Sequence, residues 1–186
     1  MIKEKRLRVD YENFGNFTCY TGRIGSGMTL ASVIHAVELQ KITSMPIVTN
    51  MTNTSLPNHE TFEWGKLWRY KDSIVLLDAL WSLQDTRRPE SRRTRDLELF
   101  LRMLRKSNCF VIANTNDVLH LDKRVRTSIT DLLNCHFVHP STLYLQKSFI
   151  DENEERHVVL YDPINTEPYF DYYNSYEILD LLNLQY

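Results

Sequence analysis

The residues best suited to chemistry stand together in Gly22-Arg23-Ile24-Gly25-Ser26-Gly27-Met28-Thr29, which holds three of the five glycines in a chain of 186 residues. A short apolar run, Phe17-Thr18-Cys19-Tyr20, precedes it and an apolar periodic stretch from Thr29 follows. That is the strand–loop–helix setting of the phosphate-binding pattern GxxxxGK[ST]. Glycines let backbone N–H groups curl around phosphate oxygens, and a helix N-terminus adds partial positive charge. The Thr29 hydroxyl is placed to hold Mg²⁺. The pattern's lysine is replaced by Met28, which keeps the length of the side chain and removes the charge that bridges the terminal phosphates. A glycine-rich turn of chance likeness is the plain alternative.

About fifty residues on, Ile74-Val75-Leu76-Leu77-Asp78 is an apolar run ending in a carboxylate. Such a strand places its aspartate beside a phosphate-bound Mg²⁺; on its own it is equally a strand whose aspartate caps a loop. A glutamate that activates water often follows this aspartate, and here the next residue is Ala79. From Arg87 to Lys106 eight basic residues face three acidic ones. A charge run of this kind is commonly a solvated helix face. It also suits an arginine finger offered to a neighbouring subunit, with Arg87 and Arg126 as candidates. Arg92, Arg93 and Arg95, expected in a polar loop, suit contact with DNA phosphates.

The elements that must position these residues alternate between strand and helix. A helix is expected from Thr29 to Lys41, strands over 46–51, 73–78 and 109–114, and a helix over 94–106. A short helix is expected from Val125 to Leu133 and a strand over 135–138. Beyond Pro140 a hairpin, 143–149 with 156–161, flanks the acidic turn 151–155, and a closing helix spans Ser175 to Leu184. Strands that are apolar without alternation are covered on both faces. The expected fold is therefore α/β, a mainly parallel sheet between helices in one domain over 1–186.

Composition narrows the classes further. Hydrophobic residues at 42% and charged residues at 25% are globular values. A net charge of −2 argues against coating nucleic acid by bulk charge. Cys19, Cys109 and Cys135 have no metal-ligand spacing and read as buried, reduced thiols of an intracellular compartment. The charged N-terminus has no apolar segment behind it, and no stretch nears the roughly 18 apolar residues of a membrane span. Trp64, Trp68 and Trp81 are expected in the core rather than stacked on bases. The tyrosines of the tail (161, 169, 172, 173 and 176) are expected to pack, and His35 is assigned no chemistry.

Taken in order, the loop 22–29, Leu76-Leu77-Asp78-Ala79-Leu80-Trp81-Ser82-Leu83, Asp85-Thr86-Arg87, Leu104-Arg105-Lys106-Ser107-Asn108, Val111-Ile112-Ala113-Asn114-Thr115-Asn116, Leu121 to Arg126 and Phe170 to Glu177 resemble the HerA/FtsK division of P-loop ATPases. The chain is most similar to small genome-packaging ATPases of archaeal viruses, with zonula-occludens-toxin-like phage assembly ATPases as cousins. The resemblance covers residues 17–177. It implies a RecA-like P-loop fold with a small C-terminal β-hairpin, ATP and Mg²⁺ as ligands, a homo-oligomeric ring and double-stranded DNA as partner. Capsid or membrane-associated viral proteins are further partners it implies, with the chain itself no integral membrane protein and located in host cytoplasm or virion. Asn116 takes the place of a polar sensor. The family's lysine and glutamate are absent at Met28 and Ala79, so hydrolysis by this chain is expected to be weak or lost. Two readings follow: a packaging ATPase subunit with a degenerate site, or a non-catalytic pseudo-ATPase that contributes structure. The replacements suit natural decay or deliberate alteration equally.

Overall fold

The structure is a computed structural model that describes residues 3–52, 54–80, 92–150 and 155–173. Ten described strands form one sheet: β1 (Lys3–Leu7), β2 (Phe17–Thr21), β3 (Ile47–Thr49), β4 (His59–Thr61), β5 (Ile74–Leu77), β6 (Phe110–Thr115), β7 (Asp131–Val138), β8 (Thr142–Ile150), β9 (Arg156–Tyr161) and β10 (Ile164–Asn165). The order across the sheet is β1-β9-β8-β7-β2-β6-β5-β3-β4, with β10 on β8. From β7 to β4 every neighbouring pair is parallel, and β7-β8-β9 is antiparallel.

The unbroken apolar runs are explained by cover on both faces. Ile74 and Leu76 of β5 point into a core shared with helix α1 (Met28–Thr43). Val75 and Leu77 point the other way, into a core shared with α2 (Arg92–Arg102), α3 (Leu104–Ser107) and α4 (Lys123–Arg126). Helix α1 is buried at almost every position from Leu30 to Val37, so no polar face defines it. Its outer side is closed by Tyr11 and Phe14 from the chain's start and by Tyr169, Tyr172 and Tyr173 from its other end. The Tyr169 hydroxyl donates to Glu38 Oε1 at 2.6 Å, and Thr54 Oγ1 donates to the Tyr172 carbonyl at 2.7 Å. Tyr161, Tyr169, Tyr172 and Tyr173 therefore pack, as expected. Helix α2 is amphipathic instead, burying Thr94, Leu97, Phe100 and Leu101.

Several expectations are corrected. The helix expected over 125–133 ends at Arg126. Asp131 already pairs with Thr18, and Leu133 and Cys135 are buried while Leu132, Asn134 and His136 are exposed, which is the period of a strand. Strand pairing with β2 overrides the local helical look of Leu132-Leu133. The expected hairpin is present as β8 and β9, and through β7 it continues the central sheet. Strands β1 and β4 were not expected: β1 is mostly charged and exposed, and β4 has no buried residue. Arg92, Arg93 and Arg95 lie in the first turn of α2 rather than in a loop. Trp68 is 48% exposed, not core, while Trp64 is partly buried with the Arg93 guanidinium 5.9 Å from its ring centre. The closing helix over 175–184, Trp81, Tyr176 and Arg87 fall outside the described residues, as does most of the acidic turn. All three cysteines are buried and unpaired by disulfide; burial pushes the Cys19 thiol up to about 12.

Candidate phosphate-binding site

Parallel strands end on one edge of the sheet, and the loops leaving that edge make the site. The loop 22–27 connects β2 to α1 at this edge. Its glycines are required by conformation: Gly25 and Gly27 both have φ +83° and Gly22 has φ +156°. A Cβ on Gly27 would lie 3.1 Å from Phe137 Cβ and 3.2 Å from Leu143 Cδ1. The Ser26 amide donates to the Arg23 carbonyl at 2.9 Å, closing the turn. Residues Arg23, Ile24 and Gly25 are exposed at the loop's tip. The first amides of a helix have no partner within it, so α1 presents donors where the loop ends.

Two strands away across the edge, Asp78 follows β5. The Thr29 hydroxyl donates to Asp78 Oδ1 at 3.0 Å, joining the two segments that the spacing singled out. Two asparagines hold Asp78 in place. Asn50, after β3, donates from Nδ2 to the Asp78 carbonyl at 2.9 Å and accepts from the Asp78 amide at 2.8 Å. Asn114, 5% exposed on β6, donates to Asp78 Oδ1 at 2.6 Å and accepts from the Ala79 amide at 2.9 Å. Each neighbour of β5 thus contributes one side-chain amide. Tyr173 also lies near this carboxylate; burial first, and then the Asp78 charge, raises its hydroxyl above the usual range.

Of the residues expected at the site, the loop, Thr29, Asp78 and Ala79 are brought together. Asn116 is exposed, and its carbonyl accepts from Thr21 Oγ1 at 3.5 Å. Asn114, two residues earlier, is the asparagine of this strand that bonds Asp78. The signal was available, because Asn114 sits inside an otherwise apolar strand where a polar side chain needs a partner. Asn50 carried no comparable signal. Met28 is 9% exposed and belongs to the core shared with α1. Ala79 has φ +54°, a left-handed backbone uncommon for residues other than glycine. Arg126 is half-buried on α4, near Asp122, whose carboxyl is held low chiefly by its hydrogen bond from Arg124 and less by the Arg126 charge.

The residues present fit a Mg²⁺-bound phosphate chain in part. A hydroxyl and a carboxylate in contact are the hard oxygen donors that Mg²⁺ takes alongside phosphate and water. The positive-φ glycines and the start of α1 form an amide cradle. No lysine stands on the loop, and no carboxylate follows Asp78.

No family model and no curated protein matches the chain. Solved structures do match. The N-terminal domain of zonular occludens toxin from Neisseria meningitidis superposes with a TM-score of 0.61 over 87% of this chain and 100% of that one, at 17% identity. The genome packaging NTPase of Sulfolobus turreted icosahedral virus 2 in complex with ATP-gammaS gives 0.53 over 77% and 96%, at 11% identity. Its complex with AMP gives 0.52 over 71% and 79%, at 12% identity. The fold is that of P-loop ATPases. At these identities the likeness speaks for the architecture alone.

Among the described residues no helix is long and apolar enough to cross a membrane, and no cluster of side chains suits a protein-bound metal.

Proposed function

We propose that this chain is a nucleotide-binding subunit of a ring that packages or translocates double-stranded DNA, with its own hydrolysis severely reduced. The observation that carries the reading is the Thr29–Asp78 contact beside a glycine cradle at the carboxyl edge of a parallel sheet. In it the loop amides bind phosphates of ATP, and Thr29 and Asp78 hold Mg²⁺. Asn50 and Asn114 fix the carboxylate. Bound Mg²⁺ would neutralise charge on the phosphates. Without lysine at 28 or glutamate at 79, the chain lacks one source of charge stabilisation and the usual water-activating base, each commonly worth several kcal/mol.

The DNA role rests on α2. Arg92, Arg93 and Arg95 stand in its first turn, with no acidic residue among them there. Cations at a helix N-terminus oppose the helix dipole by ~0.3–1 kcal/mol each, so helix stability does not account for them. Arg92 is 91% exposed, its Nε 3.7 Å from Asp96. Exposed arginines on one turn suit phosphate contacts without sequence readout. Arg87 and Arg126 remain the candidates for completing a neighbour's site. A viral source, with capsid or membrane-associated partners in host cytoplasm or virion, follows only from the resemblance.

A second reading, a pseudo-ATPase serving as a structural or regulatory subunit, is favoured by Met28, which is packed in an apolar core, and by the left-handed backbone at Ala79, where a glutamate would sit under strain. Calorimetry with Mg²⁺ and ATP, run beside a phosphate-release assay, separates the readings. Binding without release is expected; absence of binding at millimolar ATP refutes nucleotide binding and leaves the structural role. Turnover restored by Met28→Lys with Ala79→Glu would favour the altered-enzyme history over decay.

A further inference from the structure

Resting on the nucleotide reading, we infer that the turn joining β7 to β8 is the seat of the nucleobase, with the rings of Phe137 and His139 as its stacking surface.

The sheet order sets the direction. Asp78 lies beyond β6 on one flank of the loop, so the metal and the far phosphates lie on that side. A ligand whose phosphate tail points to Asp78 has its other end toward the opposite flank, where β7 and β8 stand. β7 is parallel to β2 and pairs Asn134 with Thr21, the last residue of β2. It continues for four more residues to Val138. At about 3.3 Å per residue this raises a wall of roughly 13 Å beside the loop.

The wall touches the loop. A Cβ on Gly22 would be 3.1 Å from the Cys135 carbonyl, and one on Gly27 would meet Phe137 and Leu143. Cys135 is buried and its strand neighbours Asn134 and His136 are exposed, so Phe137 falls on the loop's side by alternation. Phe137 is half-buried, and the exposed His139 ring lies 5.2 Å from it, edge to face at 71°. Thus one aromatic ring is packed beside Gly27 and a second, open to solvent, lies against that ring. A flat heteroaromatic ligand is what such a pair takes, because stacking needs a π-face and no hydrogen-bond code. The tyrosine near the site, Tyr173, stands at the Asp78 end and is not placed for this role.

The test compares two ligands on the full chain by calorimetry with Mg²⁺: ATP, and inorganic tripolyphosphate, which has the phosphate tail and no base. His139→Ala changes an exposed turn residue and leaves the fold intact; Phe137→Leu keeps an apolar contact on Gly27. Each is expected to weaken ATP about fivefold or more, in line with ~1–3 kcal/mol per stacked base, and to leave tripolyphosphate within about twofold. His139→Tyr should restore ATP affinity. Equal losses for both ligands would mean the turn only shapes the loop, and unchanged ATP affinity in both variants would place the base elsewhere; either result overturns the inference. If the parent chain binds tripolyphosphate but gains nothing from the base, the stacking surface fails while the phosphate site stands. If it binds neither, the nucleotide reading itself fails.

Discussion

The two flanks of the glycine loop are built from opposite materials. On the Asp78 side the contacts are polar and reciprocal: a hydroxyl and two asparagine amides converge on one carboxylate and its backbone. On the β7–β8 side they are apolar and steric, Phe137 and Leu143 closing on Gly27. On the polar flank Met28 and Ala79 carry no charge, and the groups that hold Asp78 are neutral: the Thr29 hydroxyl and two asparagine amides. Among the described residues, the place of the Asp78 carboxylate is set by a hydroxyl and by asparagine amides.

The largest expected effect comes from cutting the polar flank at its most buried point. Asn114→Ala removes the Oδ1 acceptor of the Ala79 amide and one of the two donors on Asp78 Oδ1, the other being Thr29; losing a partner at a buried site costs ~1–3 kcal/mol, more for a charged group. Chemical denaturation should show a loss of ~2–4 kcal/mol, with Mg²⁺–ATP binding weakened beyond detection if Asp78 turns away. A loss under ~0.5 kcal/mol would mean that Asn50 suffices.

The matching cut on the apolar flank is Gly27→Ala. The backbone at φ +83° strains any side chain, and the new methyl presses on Phe137 and Leu143. A loss of ~1–3 kcal/mol is expected. Equal stability would show that the hairpin yields, and with it that the two flanks are not equally rigid.

On α1, acid acts through the buried His35. Buried against Tyr11 and Phe14, with Nδ1 3.0 Å from the Tyr20 hydroxyl, its imidazole is pushed down to about 3 by burial, although the Tyr11 hydrogen bond and the Asp131 charge act the other way. The unfolded chain, with an ordinary pKa near 6.5, takes up the proton first. Stability is thus full above about pH 6.5 and falls as pH drops toward 3, by up to ~1.4 kcal/mol per unit. Glu38, held low overall by Lys41 and Tyr169 although burial opposes them, adds loss only below the ordinary carboxylate range. His35→Gln should flatten the decline between pH 6.5 and 5 in thermal melts; an unchanged slope would assign that limb to other groups.

The smallest effect is expected where the motif pointed and the fold did not. Asn116→Ala should alter stability by under ~0.5 kcal/mol, since its side chain is exposed. If instead it abolishes nucleotide binding while Asn114→Ala does not, the sensor assignment returns to position 116.

Much of this was legible before folding. The glycine cluster between an apolar run and a periodic one, and an aspartate closing a four-residue apolar strand, are local patterns, and local patterns survive in sequence. So did the doubly covered sheet, because Ile74 to Leu77 have no polar alternation. The clamp on Asp78 was not legible. Asn50 and Asn114 reach it only because β3 and β6 flank β5 in the sheet, an adjacency that chain order does not state. The strand at Asp131 was hidden for the same reason: its period appears only once β2 supplies a partner and α1 a core. Thus the sequence determined the loop, the uncharged Met28 and Ala79, and the strands beside them. Tertiary structure alone decided which asparagine meets the carboxylate and that Phe137 packs beside the loop, since both depend on neighbouring strands and their register, with the asparagine 36 residues from the carboxylate.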